Sequence, residues 1–350
     1  MSYWPDRKLL VITLYTLLAG AAGAGLAYWL SLPLYILTGP AILVSTISLT
    51  GIRFEIADPV RDVALLLIGI VIGSGVNGET TAAILRWPLA FLALLVMLVM
   101  SLMICRFLLT RFFGFDPRSA ILASTPGHLS FVLTTSAELN LNVANIATVQ
   151  SVRLLALTLV VPFMATAFGV KVDGDFLPVG QTMQTAGVII MFAVSLGLGL
   201  VLKRARIPAP LLMGGLMVSS SAHIVDLTPG VPAPEMVLGC FMVLGTMIGS
   251  RFSGITLVQL RRGLVAGLLI TIVAVVLAAI AALSISAFLA MPPVHVIVAF
   301  APGGLETMVS MGILLGANPG FIAACHIGRL LLLSAMIPFF LGRNKISHRP

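Results

Sequence analysis

Charge is what this chain has least of. Asp, Glu, Lys and Arg together supply 9% of its 350 residues, too few to wet the surface of a water-soluble globule. Cysteine is scarce: Cys105, Cys240 and Cys325 each stand alone in an apolar run, which excludes a disulfide framework and a thiolate metal site and predicts buried, inert thiols. The five histidines form no ligand cluster, and the chain has no paired-histidine motif, phosphate loop or nucleophile elbow. Neither an enzyme nor a resident cofactor is therefore expected. Short alternating polar and apolar segments are also missing, which removes a transmembrane barrel.

Apolar residues fill the space these absences leave. They make up 59% of the chain, and the mean hydropathy is +1.13. Runs of membrane-spanning length recur from end to end, so the lipid bilayer is the expected surrounding and an all-α polytopic protein of the cytoplasmic (inner) membrane the expected class. Spanning segments fall at about 9–30, 33–51, 60–77, 87–110, 143–168, 180–202, 209–227, 234–252, 262–290 and 320–341. The net charge of +8 sits in short clusters between these runs, a pattern that reports membrane orientation and gives no nucleic-acid surface. The first segment is read as a retained helix, since it occupies the place that 180–202 holds later.

Two further apolar stretches, 118–137 and 294–315, carry Thr125-Pro126-Gly127-His128-Leu129-Ser130 and Ala301-Pro302-Gly303-Gly304-Leu305-Glu306. A Pro-Gly break is foreign to a plain spanning helix. The breaks belong to a duplication. Residues 124–163 laid on 300–339 give 13 identities in 40, among them Pro126, Gly127, Asn142, Arg153 and Pro162 with Pro302, Gly303, Asn318, Arg329 and Pro338. The repeats are 1–168 and 180–350, joined by an external linker at 169–179.

Positive charge selects the topology. If each Pro-Gly stretch dips in and returns, sixteen of the twenty basic residues lie on the cytoplasmic side; if each crosses, ten lie inside and eight outside. The first count obeys the positive-inside rule. It predicts two inverted five-helix repeats, ten spanning helices, two re-entrant Pro-Gly hairpins entering from opposite faces, and both termini in the cytoplasm.

Arg153 and Arg329 are then buried cations about ten residues, roughly 15 Å, from either end of their helices. Each must have a partner. That partner is either structural, a hairpin carbonyl or Glu306, or an anionic substrate suited to the guanidinium fork. The tips at Gly127, Gly303 and Gly304 would present backbone donors to such an anion. Glu306 either caps its helix or couples a cation, with Ser130 in its place in the first repeat. Gln150 and His326, within a turn of the arginines, join the candidate lining, as does Asn145; for His326 alone a packing role is favoured. Asn142 and Asn318 read as helix caps, and the glycines Gly20, Gly23, Gly25, Gly69 and Gly73 as points of close helix approach.

The motif Ala301 to Met308, followed by Gly328-Arg329-Leu330 inside a duplicated apolar chain, resembles the membrane AbrB-duplication family, whose members carry labels such as AbrB-family regulator or ammonia monooxygenase. The first repeat departs from the pattern at His128 and Ser130. The resemblance implies no site residues. An oxygenase would need metal ligands that this sequence lacks, and the soluble DNA-binding protein of the same name has a small β-rich fold. The architecture is similar to that of sodium-coupled citrate and glutamate symporters.

The function expected from these features is a secondary transporter of a small organic anion, working by alternating access at the repeat interface and coupled to sodium or protons. A membrane regulator acting on gene expression indirectly is the alternative, and a membrane monooxygenase a third reading. A homodimer is left open.

Overall fold

The computed structural model describes residues 6–74, 87–126, 129–167, 181–205, 207, 209–225, 227 and 230–341. The expected 169–179 linker, Gly127 and His128 lie outside them. Among the described residues every regular element is a helix, and an isolated bridge joins Thr182 to Val231. The first repeat holds α1 (Arg7–Trp29), α2 (Tyr35–Ser48), α3 (Asp58–Ser74), α4 (Trp87–Phe113), α5 (Pro117–Ser124), α6 (Leu129–Glu138) and α7 (Val143–Ala167). The second holds α8 (Thr185–Arg204), α9 (Pro210–Ile224), α10 (Pro234–Ser250), α11 (Leu257–Leu289), α12 (Pro293–Phe300), α13 (Leu305–Leu314) and α14 (Pro319–Leu341).

The duplication extends to the backbone. Helices α5, α6 and α7 begin 176 positions before α12, α13 and α14. Left-handed residues recur at the same step: Gly114 with Ala290, and Asn140 with Gly316. Leu34 and Ala209, one position off that step, are the left-handed N-caps of α2 and α9. Such a conformation is costly for a side chain other than glycine or asparagine. Its recurrence at matching sites marks one backbone plan used twice.

Among the described residues six helices are long and apolar enough to cross a membrane, drawn from α1, α4 and α7 and their counterparts α8, α11 and α14. Their outer faces carry exposed Leu14, Leu18, Phe107, Ile190, Val265 and Ile272, an apolar surface that water would not tolerate and lipid does. The chain is thus a helical membrane protein. Three of the remaining expected spans are shorter than drawn from hydropathy: α2, α9 and α10 run to 14, 15 and 17 residues. At the helical rise that is roughly 21–26 Å. Their apolar residues face neighbouring helices, so hydropathy there reports burial in protein as much as contact with lipid.

Packing sorts the helices across the repeats. One group comprises α1, α2, α3, α8, α9 and α10, the other α4 to α7 with α11 to α14; the principal contacts between groups are α2 and α10 with α7, and α3 with α13 and α14. Two matching glycine crossings lock the first group. A Cβ on Gly69 of α3 would collide with the Leu212 carbonyl of α9, and one on Gly245 of α10 with the Leu37 carbonyl of α2. Gly73 and Gly249, a turn later, are equally closed by the facing helix. Gly20 and Gly23 fit the same reading, whereas Gly25 faces open space.

Loops tie the ends of this group. The Phe54 amide donates to Ser253 Oγ at 3.0 Å, just past the C-terminus of α10. At the N-terminal side of α10, Met183 donates to Val231 O at 2.8 Å and Val231 to Gln181 O at 2.9 Å. The α2–α3 loop and its counterpart, the α9–α10 loop, therefore sit at opposite ends of one helix.

Candidate functional site: two arginine clamps at the helix breaks

Both breaks are written locally. Asp116 caps α5 through the amides of Arg118 and Ser119, with Pro117 at the first turn, and Pro126 follows its last residues. Pro293 opens α12, and Pro302-Gly303-Gly304 closes it. Proline biases the preceding residue to extended backbone, and Thr125 and Ala301 are extended with ψ of 116° and 134°. In the second repeat the chain folds back after the break. His295 at the start of α12 lies 3.2 Å from the carbonyl of Leu315 just beyond α13, a contact that two helices continuing in one line could not make.

Helix α7 and helix α14 each begin on an asparagine cap, with Asn142 Oδ1 accepting from Asn145 N and Asn318 Oδ1 from Phe321 N, both at 3.0 Å. These helices carry the arginines inward. Arg153 is 5% exposed and Arg329 2%. Arg153 Nη1 donates to the carbonyls of Ser124 (3.3 Å) and Thr125 (3.1 Å). Arg329 Nη1 donates to Ala301 O at 2.7 Å, and its Nη2 to Gly303 O at 2.8 Å. Each guanidinium thus satisfies carbonyls that a broken helix leaves orphaned, at the end where the helix dipole is negative. Both arginines sit on the carbonyl ends of α5 and α12, so the partner seen is the main-chain carbonyl that the sequence offered beside Glu306 and an anion.

A second polar residue completes each clamp. Gln150 Oε1 accepts from Arg153 Nη2, and its Nε2 donates to Leu122 O (2.8 Å), Thr125 O (3.0 Å) and Ala123 O (3.2 Å). His326 Nδ1 accepts from Arg329 Nη2 at 2.7 Å, and its Nε2 faces Val298 O at 3.4 Å. Gln150 and His326 stand 176 positions apart, as do Leu122 and Val298. Counting identical residues passes over this pair because an amide and an imidazole differ as letters while offering the same acceptor and donor.

The elements of the two clamps touch: helix α14 packs on α5 of the other repeat. Among the described residues the buried Nε of each arginine has no hydrogen-bond partner. Among the described residues the salt bridges are Arg53–Glu55, Arg61–Asp58 and Arg61–Asp62, and neither buried arginine is in one. Gly303 and Gly304 are at the break, where Gly304 O accepts from Met308 N at 2.9 Å. Glu306 is the second residue of α13; its side chain, like Gly127, is outside the described residues. Asn145 is exposed and stands apart from the clamps. The three cysteines are buried and free.

Fold and site together define a duplicated helical membrane protein with a buried, doubly cationic centre. Residues 36–343 match the family described as Transition state regulatory protein AbrB, and the chain belongs to that family. YhjN of Bacillus subtilis (strain 168), named as uncharacterized, is 22% identical over 293 residues, 79% of this chain and 76% of its own. A protein of Escherichia coli (strain K12), whose name proposes a regulator, AbrB, is 25% identical over 309 residues, 85% of this chain and 86% of its own.

Proposed function

We propose that the chain is a secondary transporter of a small organic anion in the cytoplasmic membrane, with Arg153 and Arg329 as the anion's ligands. One observation carries the reading: two buried guanidiniums on packed elements of the two repeats, each holding a helix break and each with an Nε–H that has no partner among the described residues. Two like charges at mid-membrane are costly, and an anion offers both the missing charge and the missing acceptors. Gln150, His326 and the tips at Gly127, Gly303 and Gly304 would shape its site, and Glu306 would serve capping or coupling to sodium or protons.

The topology belongs to the same proposal: ten spans in two inverted repeats, both termini cytoplasmic, and two re-entrant hairpins. Inversion is supported by the equivalent loops lying at opposite ends of α10, and the hairpin by the His295–Leu315 contact. Alternating access would then be movement of the clamp-bearing group α4–α7 and α11–α14 against the glycine-locked six.

Uptake of labelled carboxylates into proteoliposomes, with and without sodium, tests the proposal. Wild-type transport left intact by Arg153→Lys and Arg329→Lys together would overturn the assigned roles. The family's description and the name of the Escherichia coli relative favour a second reading, a membrane protein influencing gene expression through a soluble partner. Stoichiometric co-purification of such a partner, with no anion stabilising the protein, would favour it.

A further inference from the structure

We infer that His326 is a positioning residue, the imidazole counterpart of the Gln150 amide: it holds Arg329 on the α12–α13 break as a neutral Nε2–H ring and carries no coupling proton. A guanidinium only donates, and a main-chain carbonyl only accepts. With Arg329 Nη2 on Nδ1 and Val298 O at Nε2, one protonation state satisfies both neighbours. Its Nδ1 accepts and its Nε2 donates. A second proton would set Nδ1–H against an Arg329 N–H and add a third positive charge beside two.

The first repeat makes the same pattern with a side chain that cannot titrate. Gln150 accepts from Arg153 through Oε1 and donates through Nε2 to Leu122 O, the equivalent of Val298 O. What the clamp requires at this position is an acceptor and a donor a few ångströms apart, and a glutamine meets the requirement. The His326 ring is fully buried, and the charged group acting on it is Arg329 of its own helix, with Arg153 beyond. From α12 it meets a main-chain carbonyl. The inference goes beyond the transport proposal and assigns His326 away from ion coupling within it.

Nitrogen-15 histidine spectra of the protein in lipid bilayers test the ring directly, with the His326 signal identified by its loss in His326→Gln. The expected result is a protonated Nε2 and an unprotonated Nδ1 from pH 5 to pH 8. A doubly protonated ring anywhere in that window overturns the inference. Thermal unfolding gives a second readout: His326→Gln keeps Tm within about 2 °C of wild type, whereas His326→Ala lowers it by roughly 5 °C or more. Equal losses in the two variants overturn it. In proteoliposomes the pH dependence of uptake, with each protein normalised to its own maximum, keeps its shape in His326→Gln whatever the maximum becomes, and a flattened shape overturns the inference. Absence of uptake by the wild type counts against the transport proposal, while the spectra and the unfolding still decide the role of His326.

Discussion

The two clamps share one geometry and differ in chemistry. In the first repeat an amide steadies the arginine, the break follows Thr125-Pro126, and α5, the helix before it, is capped by a carboxylate. In the second an imidazole stands in the amide's place, the break contains Gly303-Gly304, and the position of the capping carboxylate is taken by Pro292. What both keep is the arginine on the orphaned carbonyls. The difference separates what the backbone plan demands from what each repeat adds.

The largest effect is expected where that shared demand is removed. Arg329→Ala takes two charge-assisted donors from the buried carbonyls of Ala301 and Gly303, leaving Ala301 O with the Gly303 amide, at a cost of about 3–5 kcal/mol. Arg153→Ala is expected to cost less, because its carbonyl bonds are longer, 3.1 and 3.3 Å against 2.7 and 2.8 Å, and Gln150 itself bonds the same carbonyl, Thr125 O. Thermal unfolding in detergent orders the two variants. A milder loss for Arg329→Ala would break the comparison.

Next come the crossings that join the repeats within the six-helix group. Gly69→Ala and Gly245→Ala each press a methyl group into a facing carbonyl, so each is expected to lose about 1–3 kcal/mol. The two losses should match within experimental error, since the positions are equivalent. Gly25→Ala, with open space before it, is the control and should leave Tm unchanged. Smaller still are the asparagine caps: Asn142→Ala and Asn318→Ala should each cost about 1 kcal/mol, read as faster hydrogen exchange in the first turns of α7 and α14.

Those caps, the glycine approaches and the paired arginines were all legible in the sequence, because each depends on a particular side chain, or on its absence, at a fixed step. Other features were hidden for physical reasons. The acceptors of Arg153 and Arg329 are main-chain carbonyls, which every residue has, so the sequence could offer a carbonyl as one partner among three without saying which residues supply it. The short lengths of α2, α9 and α10 were hidden because an apolar residue facing a helix and one facing lipid look alike in a hydropathy scan. The sorting of helices into groups that cross the repeats left its trace in Gly69, Gly73, Gly245 and Gly249, but glycines show that a close approach occurs and leave the partner unnamed. The kinship of Gln150 with His326 was available at the 176-residue step to a comparison of hydrogen-bonding groups, and lost to one of letters.

The smallest expected effect separates the clamps at their entrances. Asp116, between α4 and α5, is pulled two ways: partial burial pushes its carboxyl pKa up, while hydrogen bonds from Ser119 and Arg118 at the start of α5 outweigh this and hold it below the usual value. A carboxyl depressed in the folded state stabilises the fold fully above its unfolded pKa, about 3.9, and that contribution is lost as pH falls through the lower folded value. Acid should therefore release the cap of α5, a step that the N-cap of α12 cannot match because Pro292 has no carboxyl. Protection of the Arg118 and Ser119 amides, taken relative to their intrinsic exchange at each pH, should fall as pH drops below about 3.9. Asp116→Asn keeps an acceptor at the cap and should abolish the pH step while retaining the protection. Equal acid loosening of α5 and α12 would show that the step belongs to the bundle as a whole and that the two entrances do not differ.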